Sequence, residues 1–196
     1  MRGRLSRAAT LVAALALCSA ASVSGAPPRF DGPTIKNPSV PPDFALRDQA
    51  GHVVDLARER GRVVLVTFLY THCPDVCPLT AERLNGALRA LGKARSGVRV
   101  LAVSVDPKGD TARSVRRFAA VHRLLPEFRY LTGPAPVLRR IWAAYGVSSV
   151  EQSGDRVDHT LYTLVLDSSL RGRVLYDATA RTPAIVHDVR LLLQAH

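Results

Sequence analysis

Hydrophobic and polar positions alternate along this chain in two periods, and the periods outline its elements. Val63 to Tyr70 is an almost continuous apolar run, the pattern of a strand buried on both faces. An amphipathic run starting near Pro78 follows, in which Ala81, Leu84, Ala87, Leu88 and Leu91 recur at helical spacing before Gly92. Val98 to Val105 is a second apolar strand, closed by Asp106-Pro107-Lys108-Gly109. Val115, Phe118, Ala119 and His122 give the inner face of another helix, and Phe128 to Leu131 a short third strand. Val137, Leu138, Ile141, Trp142 and Tyr145 repeat at helical spacing, which puts Trp142 in the core. Gly146 to Asp158 is polar and reads as a loop or small hairpin leading to His159. Leu161 to Leu166 and Arg173 to Tyr176 pair around the turn Asp167 to Gly172, and a last helix starts at Pro183. Its inner face is Ile185, Val186, Val189, Leu192 and Leu193. Upstream, Phe44, Leu46, Val53, Val54 and Leu56 flank the turn Asp48-Gln49-Ala50-Gly51, an N-terminal hairpin. Strands alternating with helices, then a hairpin and a helix, define an α/β sandwich with one mixed central sheet.

The ends of the chain follow other rules. Arg2, Arg4 and Arg7 precede an apolar stretch from Ala8 to about Val23 and then Ser24-Gly25-Ala26, the layout of an export signal. The apolar stretch is short against the ~20 residues a spanning helix needs, so cleavage after residue 26 is the first expectation and an uncleaved N-terminal anchor the second. Residues 27–42 carry six prolines, Pro27, Pro28, Pro33, Pro38, Pro41 and Pro42, and read as an extended tether. The folded domain is expected over residues 43–196, with the exported chain in the periplasm.

Composition adds two constraints. The chain of 196 residues is 47% hydrophobic, enough for one domain with a full core. Its formal charge of +11 is spread over many arginines with no basic block, and aromatics make up only 6%, so a nucleic-acid role gains no support. Loss of the leader removes three arginines and no acid, giving 11 − 3 = +8, and also removes Cys18. The two remaining cysteines, Cys73 and Cys77, then stand in an oxidising compartment.

Those cysteines lie in Tyr70-Thr-His-Cys-Pro-Asp-Val-Cys-Pro-Leu-Thr80, at the junction of the first strand and its helix. Helical geometry across Cys73 to Cys77 would set both sulfurs on one face, close enough to chelate a metal or close a disulfide. A helix N-terminus also lowers a thiol pKa. A disulfide over so short a loop would constrain the unfolded chain little, so stapling alone is a weak reason for the pair.

A strand ending in two cysteines at a helix start, with a later hairpin and C-terminal helix, resembles the thioredoxin superfamily. More specifically, the chain resembles the SCO/SenC family of copper chaperones. The resemblance rests on Cys73-Pro74-Asp75-Val76-Cys77-Pro78, on Ser104-Val105-Asp106-Pro107 with Asp110-Thr111, and on Asp158-His159-Thr160 before a strand. It runs from about Pro42 to the C-terminus. It implies a thioredoxin-like fold and copper, Cu(I) or Cu(II), held by Cys73, Cys77 and His159. It implies delivery to the dinuclear copper site of cytochrome c oxidase subunit II, with a thiol reductant of the thioredoxin type upstream and another copper carrier as a further partner. Soft sulfur suits Cu(I) and imidazole suits both states, and three ligands leave a position open for an incoming acceptor.

The main alternative is a thiol-disulfide oxidoreductase that uses Cys73 and Cys77 without metal. A peroxiredoxin-like peroxidase would want threonine three residues before its reactive cysteine, where Tyr70 stands. Of the other histidines, His72 abuts Cys73 but is expected to point elsewhere, His122 reads as a core residue, His52 and His187 as surface positions, and His196 as terminal. Asp75 and Asp106 are candidates for contacts around the ligands, with a turn role for Asp106 equally in view.

Overall fold

A computed structural model describes residues 29–151 and 157–195; the expected leader lies outside the described residues. The N-terminal hairpin forms as β1 (Ala45–Arg47) and β2 (Val53–Asp55). Its turn is tied by Asp48, whose Oδ1 accepts the N–H groups of Ala50 and His52, both at 2.9 Å. Gly51 there adopts a φ of 87°, a left-handed conformation open to glycine without Cβ strain.

A short 3-10 turn leads into β3 (Val63–Leu69), buried at every position. A strand apolar on both faces has to be central, and it is. There follow α1 (Val76–Leu91), β4 (Val98–Ser104), α2 (Ala112–Val121), β5 (Phe128–Leu131) and α3 (Ala135–Ala144). A small ribbon of β6 (Ser149–Glu151) and β7 (Val157–His159) comes next, then β8 (Tyr162–Leu166), β9 (Gly172–Asp177) and α4 (Thr182–Gln194).

The central sheet has the order β5-β4-β3-β8-β9. β3, β4 and β5 run parallel, as helical crossovers require, while β8 and β9 join antiparallel through a tight turn. Leu69 is in register with Ser104, so β3 and β4 finish level and the loops after them meet above the sheet edge. Trp142 closes the core from α3, its Nε1–H donating to the Ser104 carbonyl at 2.9 Å. Each fully buried large side chain, such as Phe68, Phe128 or Leu84, contributes about 1.5–3 kcal/mol of burial.

Two elements depart from expectation. Helix α1 starts at Val76, two residues before Pro78; proline is tolerated there because first-turn N–H groups have no partner inside the helix. Within the proline-rich segment, Pro33 to Ser39 is fastened along the outer edge of β9. Ile35 N–H donates to Arg173 O at 2.9 Å, Leu175 N–H to Pro33 O at 3.0 Å and Gly172 N–H to Ser39 O at 2.9 Å. Asp188 of α4, fully buried, anchors the start of this strap. It accepts the N–H groups of Asp31 at 2.8 Å and Gly32 at 3.0 Å, together with the Tyr176 hydroxyl at 2.6 Å. Gly32 lies so close to Tyr176 and Val174 that a Cβ would collide with both. An otherwise open sheet edge is thereby covered.

Candidate metal centre

β3 delivers the chain to Tyr70 and a five-residue loop, and the loop sets the two sulfurs in different environments. Asp75 takes the N-cap position of α1 with φ −141° and ψ −79°, so Cys73 precedes the helix and Cys77 sits in its first turn. The sulfurs are therefore not related by helical repetition, contrary to the simplest expectation. Instead the loop folds over the helix start, and Cys77 N–H donates to Cys73 Sγ at 3.3 Å. Asp75 makes no side-chain cap; the sulfur of Cys73 does that work on one of the orphan first-turn N–H groups.

The thiols differ in acidity for the same reason. A hydrogen bond from the Cys77 thiol leads in lowering Cys73 to about 5. Burial opposes that shift, and the backbone N–H groups of Asp75 and Cys77 and the Tyr70 hydroxyl reinforce it. Cys77 moves the other way, first because it gives that hydrogen bond and then because it is buried. The pair therefore favours the thiolate at Cys73 over one at Cys77.

His159, at the end of β7, comes from a different part of the chain to the same point. Its Nε2 lies 3.7 Å from Cys77 Sγ. Its Nδ1 lies 3.1 Å from the Thr160 carbonyl, which can only accept, so Nδ1 carries the proton and Nε2 presents its lone pair to the sulfur. That is the tautomer a metal-binding imidazole requires, with the outer nitrogen already held. Tyr70 seats the ring edge-on at 5.7 Å with an interplanar angle of 83°.

The loop is positioned from below by Asp110. This carboxylate, 4% exposed, accepts Thr71 N–H at 2.8 Å, the Ser104 hydroxyl at 2.6 Å and the Tyr130 hydroxyl at 3.1 Å. Burial raises its pKa against those three bonds. Asp106 serves its own turn, its Oδ1 accepting Lys108 N–H at 3.2 Å and Gly109 N–H at 2.9 Å.

His159 thus reaches Cys77, which is bonded in turn to Cys73, while His72 gathers instead with Asp106 and Asp110. His72 is exposed, with Nδ1 3.3 Å from the Thr71 hydroxyl. His122 lies at the C-cap of α2 rather than in the core, its ring against Phe118 and Nδ1 3.1 Å from Glu82 Oε1. His52 is at the surface, and His187 pairs with Asp31 and Asp188. Asp75 is exposed. Two participants had no role assigned from sequence, Asp110 and Tyr70. Asp110 stands in a quoted motif, but nothing local tells that its partner lies 39 positions earlier.

A mixed sheet whose central strand runs into a dithiol loop on a helix start, faced by a late imidazole, defines a thioredoxin-like protein with a candidate cluster of sulfur and nitrogen donors. The SCO1/SenC family profile matches residues 32–194, and the chain belongs to that family. It is similar to the solution structure of apo Sco1 from Thermus thermophilus, at 36% identity and a TM-score of 0.71, covering 86% of this chain and 99% of that one. It is also similar to Bradyrhizobium japonicum ScoI with copper bound, at 27% identity and a TM-score of 0.69, covering 78% and 98%. A third likeness is BsSco, at 26% identity and a TM-score of 0.67, covering 83% and 99%. Among curated relatives, the matched stretch spans 64% of a Rickettsia conorii SCO2-like protein and 48% of the bovine SCO2 homologue.

Proposed function

We propose that this chain is an exported copper chaperone that takes one copper ion on Cys73, Cys77 and His159 and passes it to the dinuclear copper site of cytochrome c oxidase subunit II. The observation that carries the reading is the 3.7 Å approach of the His159 Nε2 lone pair to Cys77 Sγ beside a second, acidic sulfur. Two sulfurs and an imidazole form a soft, three-membered donor set that favours Cu(I) and also accepts Cu(II). A structural zinc site would ordinarily use four protein ligands. The copper-bound state of the Bradyrhizobium japonicum relative supports the cargo. The description of BsSco as a member of the Sco family of cytochrome c oxidase assembly proteins supports the destination.

Capture begins at Cys73, already a thiolate, and proceeds as Cys77 gives up its proton. His159 Nε2 completes the set while Nδ1–H stays on the Thr160 carbonyl. The export signal and the site belong together, since subunit II carries its copper on the outer side of the membrane. A thiol reductant of the thioredoxin type keeps the pair competent, and a second copper carrier is the natural source of the ion.

The split in thiol acidity also favours a second reading, reduction of a partner disulfide. Cys73 thiolate would attack one partner sulfur and release the other as a thiolate; Cys77, deprotonated, would then attack Cys73 Sγ and free the second. The chain would be left with a Cys73–Cys77 disulfide for the reductant to restore.

Metal content and absorption of the reduced, copper-loaded protein test the first reading. Wild type should hold one copper with sulfur-to-copper charge-transfer bands in the Cu(II) form. Cys73→Ser and Cys77→Ser should lose both, and His159→Ala should lose Cu(II) binding while both thiols remain reactive. Unchanged copper binding by His159→Ala would overturn the ligand assignment, and disulfide reduction that needs both cysteines and ignores copper would favour the second reading.

A further inference from the structure

Beside the dithiol loop, a groove of about 330 Å³ runs between the loop and α2, lined by Thr71, His72, Ser114, Arg117, Val121 and His122. Its α2 wall is unusual in composition. Arg113, Arg117 and Val121 fall at i, i+4 and i+8, one exposed stripe along the helix, with Arg116 beside it. The helix Ala112–Val121 contains three arginines and no acid, and none of the three guanidiniums takes part in an ion pair among the described residues. Val121 is 66% exposed. Three nearby carboxylates are engaged locally. Glu82, on α1, is paired with His122, and Asp106 and Asp110 are buried in their own hydrogen bonds.

Three like charges within two turns of one helix repel each other, and the stripe borders the loop that carries Cys73 rather than a remote face. An apolar foot, Val121, and hydrogen-bonding side chains, Thr71, His72 and Ser114, sit within the same groove. Such a surface complements a partner that presents carboxylates around a small apolar contact, and its position aligns that partner with the sulfurs.

We propose that this groove is the docking site for an acidic segment of the protein that receives copper from this chain. The proposal rests on the chaperone reading above and adds where the recipient sits. The arginines act by steering encounter and fixing orientation, so their effect falls on the rate of transfer and its salt dependence rather than on copper affinity.

The test compares copper-loaded wild type, Arg113→Glu/Arg117→Glu and a control of equal net charge, Arg139→Glu/Arg181→Glu, with the metal-free soluble domain of subunit II from the same organism as acceptor. Transfer is timed at several salt concentrations, and a small neutral Cu(I) chelator serves as a second acceptor. The expected result is transfer to the domain slowed at least about tenfold at low salt by Arg113→Glu/Arg117→Glu, with the wild-type salt dependence flattened. Chelator capture and the control variant should stay at wild-type rates. Equal rates and salt profiles for wild type and Arg113→Glu/Arg117→Glu would overturn the docking proposal while leaving the chaperone reading intact. Slowing by the control variant to the same degree would overturn it too, as an effect of net charge. If Arg113→Glu/Arg117→Glu transfers normally but no longer binds phosphatidylglycerol vesicles that wild type binds, the stripe is a membrane face and the proposal fails. A wild-type chain that holds no copper would instead remove the chaperone reading itself.

Discussion

The side chain of Asp110 accepts the backbone N–H of Thr71 at 2.8 Å, so a carboxylate after β4 holds the loop that carries both thiols after β3. The same group takes the hydroxyls of Ser104 and Tyr130. The sulfurs are thus referenced to the sheet through one buried side chain, and its removal should be felt in both stability and site geometry.

Asp110→Ala should cost about 2–4 kcal/mol, because it leaves a buried N–H and two hydroxyls without an acceptor. Asp110→Asn keeps an oxygen for Thr71 N–H and should recover a substantial part of that loss. Urea unfolding of the two variants gives the order. A copper-site absorption spectrum should show the alanine variant broadened and the asparagine variant close to wild type.

The acidity of Cys73 sets a pH profile. Iodoacetamide should modify Cys73 with a rate that rises through about pH 5, while Cys77, whose proton is held, reacts far more slowly at the same pH. Since the folded pKa lies below the unfolded one, the thiolate contributes stability that is present above the ordinary thiol range and is lost as pH falls through about 5. Mass spectrometry of the alkylated chain and urea midpoints against Cys73→Ser measure the two effects. Preferential labelling of Cys77 would contradict the assignment.

Tyr70→Phe separates the two contacts of that residue. The ring stays against His159, but the hydroxyl that helps hold the Cys73 thiolate is gone. The midpoint of Cys73 alkylation should therefore move up in pH, while the thermal midpoint changes little. An unmoved alkylation profile would show that the hydroxyl does not serve the sulfur.

Asp188 offers a test far from the thiols. Asp188→Ala should cost about 3 kcal/mol and free the strap over residues 31–39, leaving the amides of Gly32, Ile35 and Leu175 poorly protected in hydrogen exchange. His187 adds a milder pH dependence. Its hydrogen bond to Asp188, with the charge of Asp31, raises its pKa, so its contribution is full below the ordinary histidine range and fades as pH rises through the raised value. Protection factors for Asp31 and Gly32 should be larger at pH 6 than at pH 9.

What sequence could and could not show follows from how local each cause is. β3 and β4 were legible because nearly every position is apolar, a pattern only a central strand satisfies. The approach of His159 to Cys77 has no local signal, since no periodicity joins position 77 to position 159, and only the three motifs taken together point to it. Helix α1 starts two residues before Pro78 because proline fits the third helical position as well as the first, so the residue marks the first turn and not its first position. Asp110, Asp188 and Asn85 are polar residues buried for partners 39, 157 and 40 positions away, and polarity alone assigns them to the surface. The strap was invisible for a related reason, because a proline-rich segment reads as loose until a sheet edge is known to lie beside it.

The ribbon bearing His159 pairs strand to strand only with itself among the described residues, outside the hydrogen-bond ladder of the central sheet. The two sulfurs, by contrast, follow directly on the central strand β3, one in the loop after it and one in the first turn of α1. In the proposed site, two attachments would thus stand on the main frame and the third on a peripheral arm. Were that arm displaced, one position of the proposed site would open to an incoming ligand without breaking a rung of the main sheet.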